Sequence, residues 1–297
     1  MRIGLVTIAF AVLFILPTSR EADGQEDGPV PERVTFVSAD GRTNLVGYLY
    51  KPTTMNAERL PAVVMMHGRA GAYSERAHGV FDASTLSLRH KAWGDEWAHA
   101  GYVALLVDGF GPRGYPQGFP RHSYDSRPAE LNEVTVRPLD AYGALAYLRS
   151  RPDVISDRIG LQGWSNGGSA AISAMSLEAP GITAPTATTG FRAAVVFYPA
   201  CGLKGQFNDR PFLPYAPVLV FHGTADEEVS YKRCEKLVEL SRENGGNVHI
   251  KIYDGATHSF DSPSRKRQKV DANSEATDDA VQRAVRFFSR HVSGEHP

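Results

Sequence analysis

The sequence predicts an α/β fold in which helices cover both faces of a mostly parallel central sheet. Short apolar runs alternate with helical segments along the chain, and a hairpin signal precedes them. The apolar runs are continuous rather than alternating, as in strands that are buried on both faces. No repeat, long linker or change in composition divides the chain, so we expect one domain over residues 33–291.

The elements of this predicted domain follow in order. Asp40-Gly41 is typical of a hairpin turn between strands at residues 33–37 and 45–50. Further strands are predicted over residues 61–66, 102–107, 159–161, 193–197, 218–223 and 250–253. Helices are predicted over residues 91–100, 139–149, 169–175, 234–242 and 277–291. Trp93 and Trp97 share one face of the first helix, where we expect them to pack in the core, and Gly101 ends that helix.

Composition and charge argue against a nucleic-acid partner. The 297 residues are 42% hydrophobic and 22% charged, with a formal net charge of -1. A chain this close to neutrality offers little attraction for a polyanion. The basic run at residues 265–269 is followed by acidic residues, and we interpret it as a solvated surface segment.

Residues 1–24 are typical of a secretory signal peptide. Arg2 is followed by an uncharged run over residues 3–16, which is shorter than the ~20 residues that a transmembrane helix needs. Ala22-Asp23-Gly24 suggests cleavage before Gln25; the alternative is an uncleaved anchor. We therefore expect a secreted or periplasmic protein.

The two cysteines suit an oxidising compartment. Cys201 and Cys234 each follow one of two neighbouring predicted strands, and an even pair in an exported protein indicates a disulfide. The alternative is two separate buried thiols.

One hexapeptide, Gly163-Trp164-Ser165-Asn166-Gly167-Gly168, indicates a nucleophile. It lies between an apolar strand and a helix of small residues. A serine flanked by glycines at such a junction forms the tight turn known as the nucleophile elbow. Ser165 is therefore the candidate nucleophile.

An acid and a base follow Ser165 in the order that α/β-hydrolases use. Asp226 follows the strand at residues 218–223, and His258 lies in the loop after the strand at residues 250–253. Glu227 and Glu228 compete for the role of the acid, but Asp226 comes first after its strand. His258 is expected to take the serine proton, and Asp226 is expected to orient His258.

Acyl transfer also needs donors for the oxyanion. The backbone N–H of Asn166 is one candidate, and the N–H of Arg69, in the loop after the strand at residues 61–66, is the other. We expect His67 to hold that loop and His222 to have a similar structural role.

No motif indicates a metal or a cofactor. The ten histidines form no H-E-x-x-H pattern, and no glycine-rich phosphate loop opens a βα unit. We therefore expect neither a metal nor a cofactor in the reaction.

The longest segment without clear periodicity covers residues 108–134, and it begins at the carboxyl end of a strand. Open α/β sheets bind ligands at this edge, and loops of this length are usually functional. The candidate substrate-binding residues, for a carboxylate or a polar acyl group, are Arg113, Arg121, His122 and Tyr124. For Arg113 the alternative is a salt bridge that pins the loop.

With these motifs in place, residues 33–291 resemble the dienelactone hydrolase family of α/β-hydrolases. The resemblance rests on residues 163–168, 222–226 and 255–260, and also on residues 108–114 and 198–201. Two positions depart from the family. The dienelactone hydrolases proper carry a cysteine nucleophile and a glutamate after the third strand, where this chain has Ser165 and Gly68.

These departures favour a conventional serine esterase. The sequence predicts an exported serine hydrolase that cleaves small carboxylic esters through an acyl-enzyme on Ser165. The alternatives are a serine peptidase or acyltransferase with the same triad, and a catalytically silent binding scaffold.

Overall fold

A computed structural model describes residues 30–53 and 57–294 of the chain. The predicted signal peptide, residues 1–24, lies outside the described residues. In the described part, eight strands form a single sheet in the order β1-β2-β4-β3-β5-β6-β7-β8. The strands are β1 Glu32–Val37, β2 Asn44–Tyr50, β3 Leu60–Met66, β4 Val103–Asp108, β5 Val154–Trp164, β6 Ala194–Phe197, β7 Val218–Gly223 and β8 Val248–Tyr253.

The sheet is mostly parallel, as predicted. β1 and β2 form the predicted antiparallel hairpin, and β2 also runs antiparallel to β4. The remaining neighbours, from β4 through to β8, are all parallel. Gly41 in the hairpin turn has a φ of +70°, a left-handed conformation that favours glycine.

Helices cover both faces of the sheet. They are α1 Leu88–His99, α2 Arg137–Ser150, α3 Asn166–Met175, α4 Tyr231–Glu243, α5 Arg265–Gln268 and α6 Asp271–Phe288. Buried side chains of α2, α3 and α4 form one core cluster with alternate strand residues such as Val64 and Met66. Those of α1 and α6 form a second cluster with Val63 and Met65. The prediction of a sheet buried on both faces is confirmed.

Trp93 and Trp97 lie in the second cluster, with ring centroids 5.8 Å apart. Their predicted core packing is therefore confirmed. Gly101, just beyond α1, has a φ of +86°, which explains why the helix ends there.

The predicted disulfide is present between Cys201 and Cys234. It joins the loop after β6 to α4 and spans a sequence separation of 33 residues. On the chain-entropy model a loop of this length stabilises the fold by about 3.5–4 kcal/mol. A disulfide of this kind is compatible with an extracellular location.

The strand order determines where the candidate site lies. β5 lies between β3 and β6, and β7 and β8 follow on the same side. Because these strands are parallel, the residues that follow them meet at one edge of the sheet. Ser165 follows β5, Asp226 follows β7 and His258 follows β8.

Candidate active site

Ser165 occupies a strained turn between β5 and α3. Its backbone has φ 51° and ψ -116°, which is rare for a residue other than glycine. Its N–H donates to Phe197 O at 2.9 Å, and its carbonyl accepts from Ser169 N at 2.9 Å. These bonds hold the strained backbone between β6 and α3, as the nucleophile-elbow motif predicts.

The glycines of the motif are required by close backbone contacts. A Cβ on Gly163 would lie 2.3 Å from Gly167 O, and a Cβ on Gly167 would lie 2.1 Å from Met66 O. Real Cβ atoms do not approach backbone oxygens this closely, so α3 packs against β5 and β3 only when both positions are glycine.

Asp226 and His258 are hydrogen-bonded. His258 Nδ1 lies 2.8 Å from Asp226 Oδ2, and both side chains are almost fully buried. The other carboxylate oxygen of Asp226 accepts from the backbone N–H groups of Glu228 and Val229, each at 2.8 Å. The carboxylate is thus fixed by its own loop and is directed at His258. This geometry favours Asp226 over its two neighbours as the partner of the histidine.

Glu227 and Glu228 have other partners. Glu227 Oε2 accepts from the backbone N–H of His258 at 2.9 Å, so it holds the histidine loop rather than the imidazole. Glu228 forms a two-point ion pair with Arg69, at 2.7 and 2.9 Å. Burial raises the pKa of Glu228, but hydrogen bonds from Arg69 and attraction to His258 and Arg69 outweigh it and lower the pKa. Glu228 Oε2 also lies 3.8 Å from His258 Nε2.

The two segments that carry the predicted oxyanion donors lie next to Ser165. Asn166 follows it directly, and the loop after β3 packs against it, since a Cβ on Gly68 would lie 3.4 Å from Ser165 Cβ. Arg69 and Asn166 both line the cavity that contains Ser165. With no side chain at Gly68, that position brings no carboxylate to the nucleophile.

Arg137, a buried arginine that the sequence analysis missed, connects the loop after β3 to Asn166. Arg137 Nη1 donates to His67 O at 2.8 Å and to Asn166 Oδ1 at 2.6 Å. Asn166 Nδ2 in turn donates to Glu133 Oε2 at 3.2 Å. Burial lowers the pKa of Arg137 to about 10. The sequence around Arg137 and Glu133 does not indicate that they belong to the site, because their partners lie 29–70 residues away.

His67 holds the loop after β3, in agreement with the prediction. Its Nδ1 contacts Gly68 O at 2.7 Å, and its Nε2 accepts from Gly109 N at 3.2 Å. His222 is also fully buried, and its Nδ1 accepts from Gly223 N at 3.1 Å. Both therefore have the structural role expected of them.

Three buried histidines make stability depend on pH. Burial lowers the pKa of His67 well below its ordinary value, that of His90 to about 3, and that of His222 to a lesser extent. The unfolded chain binds these protons near pH 6.5, whereas the folded protein does not. The free energy of unfolding is therefore expected to fall as the pH drops below 6.5, by about 1.4 kcal/mol per histidine per pH unit.

Urea unfolding at about pH 7 and about pH 5.5 checks this expectation. The variant His90→Gln isolates the histidine contribution, because it should lose one histidine's share of the pH dependence. An equal pH dependence in the variant and the natural protein would contradict the account.

Asp261, three residues after His258, is a second feature that the sequence analysis missed. Its fully buried carboxylate accepts from Trp93 Nε1 at 2.8 Å, from Trp164 Nε1 at 2.7 Å and from the hydroxyl of Tyr198. Arg89 Nε lies 3.3 Å away and supplies the compensating charge. Trp164 precedes the nucleophile, and the ring of Tyr198 packs on His258 with centroids 4.6 Å apart. Asp261 therefore ties the serine turn to the histidine loop.

We expect Asp261→Ala to cost about 3–5 kcal/mol of unfolding free energy, because it leaves the partly buried Arg89 without its partner and removes the acceptor of three buried hydrogen bonds. Asp261→Asn keeps the shape of the side chain and should lower kcat by about 10- to 100-fold with little change in KM, since small misplacements of catalytic groups have effects of this size. Denaturant unfolding and steady-state kinetics measure the two effects.

Trp164→Phe and Trp97→Phe form a matched pair for this prediction. Trp164 donates to Asp261, whereas Trp97 donates to Gln162 and does not contact Asp261. Both changes should reduce stability, but Trp164→Phe alone should lower kcat. Equal kcat values in the two variants would show that Asp261 contributes only to stability.

A cavity of about 840 Å³ opens beside Ser165. Three of the predicted substrate contacts line it, namely Arg121, His122 and Tyr124. Arg121 also pairs with Glu227 and Glu228, at 3.1 and 2.9 Å, and so links the long loop to the acid loop. Other lining residues come from the loop after β6 and from α4, which the sequence analysis did not associate with the site.

Arg113 does not belong to this set. Its guanidinium forms a two-point ion pair with the buried Asp140, at 2.8 Å for each contact, and it is not among the residues that line the cavity. The structure thus corrects the prediction of a substrate contact and supports the alternative of a salt bridge that pins the loop. The sequence left both roles open because Asp140, the partner in this ion pair, lies 27 residues away, on α2.

Residues 30–53 and 57–294 contain no group of three or more His, Cys, Asp or Glu side chains placed to hold a metal ion. In the same ranges no helix is both long enough and apolar enough to cross a membrane.

The mostly parallel sheet, the strained serine after β5 and the histidine–aspartate pair at the same sheet edge define the α/β-hydrolase class. A family model for the dienelactone hydrolase family matches residues 45–292, and the chain belongs to that family. It is therefore a hydrolase.

Individual relatives and structures agree with this assignment. The chain is 26% identical over 238 residues to a probable 2-oxo-3-(5-oxofuran-2-ylidene)propanoate lactonase of Bradyrhizobium sp, covering 75% of this chain and 82% of the lactonase. It is 26% identical over 259 residues to human dipeptidyl peptidase 8, covering 78% of this chain but only 26% of the peptidase. Esterase 2 of Thermogutta terrifontis, phosphorylated by paraoxon, superposes with a TM-score of 0.62 at 19% identity, covering 88% of this chain and 94% of the esterase. At this identity the likeness shows a shared fold.

Proposed function

We propose that the protein is an exported serine hydrolase that cleaves carboxylic esters, with Ser165 as nucleophile, His258 as base and Asp226 as acid. The observation that carries the proposal is the 2.8 Å bond between Asp226 and His258 at the sheet edge where Ser165 is held in a strained turn. The disulfide and the signal-like residues 1–24 support the exported location.

The reaction would proceed in two steps. Ser165 Oγ attacks the ester carbonyl while His258 Nε2 takes its proton, and the backbone N–H groups of Asn166 and Arg69 stabilise the oxyanion. The tetrahedral intermediate collapses to an acyl-enzyme, and His258 returns the proton to the departing alcohol. Water then attacks the acyl-enzyme with His258 again as base, which releases the acid and restores Ser165.

A serine nucleophile fits its surroundings. Gly68 contributes no side chain beside Ser165, so the site lacks the glutamate that accompanies the cysteine in dienelactone hydrolases proper. The serine needs only the base that the histidine–aspartate pair supplies.

Paired ester and amide substrates test the proposal. We expect the mature protein to hydrolyse p-nitrophenyl acetate and butyrate, with an initial burst of p-nitrophenolate, and to cleave the matching p-nitroanilides far more slowly. Equal turnover of esters and anilides would favour the peptidase alternative. The absence of both activities, together with no labelling by a fluorophosphonate, would favour the silent scaffold.

A further inference from the structure

The loop after β3 carries Arg69, whose backbone N–H is one of the two proposed oxyanion donors. Its neighbour Gly68 packs against the nucleophile, since a Cβ there would lie 3.4 Å from Ser165 Cβ. Among the described residues, no acceptor takes a hydrogen bond from the N–H of Arg69, which leaves this donor free for a substrate oxygen. An oxyanion donor is effective only when it is held in place before the reaction. The rate therefore depends on what holds Arg69.

The side chain of Arg69 anchors its own backbone. Its Nε and Nη2 donate to the carboxylate of Glu228 at 2.7 and 2.9 Å, and its Nη1 donates to Phe119 O at 2.7 Å. The N–H of Phe119 in turn donates to Arg69 O at 2.8 Å. Side chain and backbone of Arg69 are thus held together by the same segment. We call Arg69, Phe119 and Glu228 the arginine clasp.

The two partners of Arg69 are themselves fixed. The side chain of Glu228 is only 10% exposed, and its backbone N–H donates to Asp226 Oδ1 at 2.8 Å. The ring of Phe119 packs edge-on against the fully buried Phe110, with centroids 5.6 Å apart. The arginine clasp therefore ties the loop after β3 to the loop of the catalytic acid and to the long loop over residues 108–134.

Gly118 allows the long loop to lie directly on the loop after β3. A Cβ on Gly118 would lie 2.2 Å from the carbonyl carbon of Ala70 and 2.6 Å from Arg69 O. Gly118 also has a φ of +66°, a left-handed conformation that favours glycine. The contact between Phe119 and Arg69 thus depends on a close backbone approach that only glycine permits.

We infer that the side chain of Arg69 is a positioning residue for the oxyanion hole, because its bonds to Glu228 and Phe119 fix the place of its own backbone N–H beside Ser165. The inference rests on the proposed ester-hydrolase function. In this role the guanidinium acts through the backbone that it anchors, so its effect extends to uncharged substrates. The long loop then contributes to the reaction by holding the oxyanion donor, apart from any contact with the substrate.

A pair of substrates that differ in one atom of the ester group tests this role. p-Nitrophenyl acetate develops its negative charge on oxygen, whereas O-p-nitrophenyl thionoacetate develops it on sulfur, which is larger and a weaker hydrogen-bond acceptor. Donors placed for an oxyanion therefore favour the oxoester. The ratio of kcat/KM for the two esters measures that preference and does not depend on how much of the protein is active.

Arg69→Met should lower kcat/KM for the oxoester by about 10- to 100-fold, because small displacements of groups at the reacting centre have effects of this size. The thionoester should lose much less, so that the ratio falls about tenfold or more. Arg69→Lys keeps the charge but not the forked contact, and should restore part of the ratio. Glu228→Gln weakens the same ion pair from its other end, and should lower the ratio in the same direction.

Arg151→Met is the matched control. Arg151 also forms a two-point ion pair, with Asp153 at 2.9 and 2.8 Å, and its side chain has the same 16% exposure as that of Arg69. It lies just before β5, whereas Ser165 follows the other end of that strand. Arg151→Met should leave the ratio unchanged.

An unchanged ratio in Arg69→Met would overturn the inference, and so would a fall of the same size in Arg151→Met. If Arg69→Met does not fold, the ratios of Arg69→Lys and Glu228→Gln decide in the same way. Failure of the proposed function has a different signature, in which the natural protein hydrolyses neither ester and Ser165 does not react with a fluorophosphonate.

Discussion

Ser165→Ala is expected to lower kcat for p-nitrophenyl esters by about 10⁶-fold, the size of effect seen when a serine nucleophile is removed from its triad. The methyl group of alanine cannot form an acyl-enzyme, so only oxyanion stabilisation and substrate binding would remain. The backbone is held by the contacts of its N–H with Phe197 and of its carbonyl with Ser169, which alanine keeps. The variant should therefore fold normally, and circular dichroism together with kcat measures both properties.

Ser230→Ala provides the matched control. Ser230 also lines the cavity but precedes α4, and its side chain forms no cap hydrogen bond. It should retain kcat within a factor of about three, since exposed substitutions without partners have small effects. Residual turnover of Ser165→Ala within tenfold of the natural protein would show that another group is the nucleophile.

Asp226→Asn is expected to lower kcat by about 10⁴-fold while leaving the fold intact. Asp226 Oδ1 accepts two backbone N–H groups, so the single amide oxygen of asparagine would be retained there. The amide NH₂ would then face His258 Nδ1, 2.8 Å away in the natural protein, and would stabilise the tautomer that has its proton on Nε2. That tautomer cannot accept the proton of Ser165.

Glu227→Gln and Glu228→Gln separate the acid from its neighbours. Neither side chain contacts His258 Nδ1, so each change should cost much less than Asp226→Asn. Asp254→Asn, at an exposed carboxylate that accepts from Thr224 Oγ1, controls for the loss of one acidic group nearby. A larger loss of kcat in Glu228→Gln than in Asp226→Asn would transfer the role of the acid to Glu228.

The sequence-based predictions were correct where the role of a residue can be recognised from the residues next to it or from its type. The continuous apolar runs identified the inner strands because both faces of the sheet are covered. The glycines around Ser165 identified its turn because only glycine fits between β5, α3 and β3. Cys201 and Cys234 were paired correctly because no other cysteine competes.

Element boundaries were less accurate where polar residues extend an element. β5 begins at Val154 rather than at residue 159, because the polar and partly exposed residues 156–158 interrupt its apolar pattern, although Val154 already pairs with Leu60 at the start of β3. α6 begins at Asp271 rather than at residue 277, and its first turn carries no apolar pattern. The starts of these two elements cannot be located from the spacing of apolar residues alone.

Long-range polar contacts outside the recognised catalytic motifs could not be predicted from the sequence. Asp261 accepts hydrogen bonds from groups 63–168 residues away, and Arg137 donates to groups 29–70 residues away. A lone charged residue in a sequence does not reveal whether it will be buried, nor with which partner. For this reason the sequence left both a substrate contact and a salt bridge open for Arg113, whose partner Asp140 lies 27 residues away.

Fluorophosphonate labelling of the mature protein, followed by mass spectrometry of its tryptic peptides, tests the central claim most directly. We expect one phosphonyl group per molecule, located on Ser165, and no labelling of Ser165→Ala. Labelling at another residue, or none in the folded natural protein with its disulfide intact, would contradict the assignment of Ser165 as the nucleophile.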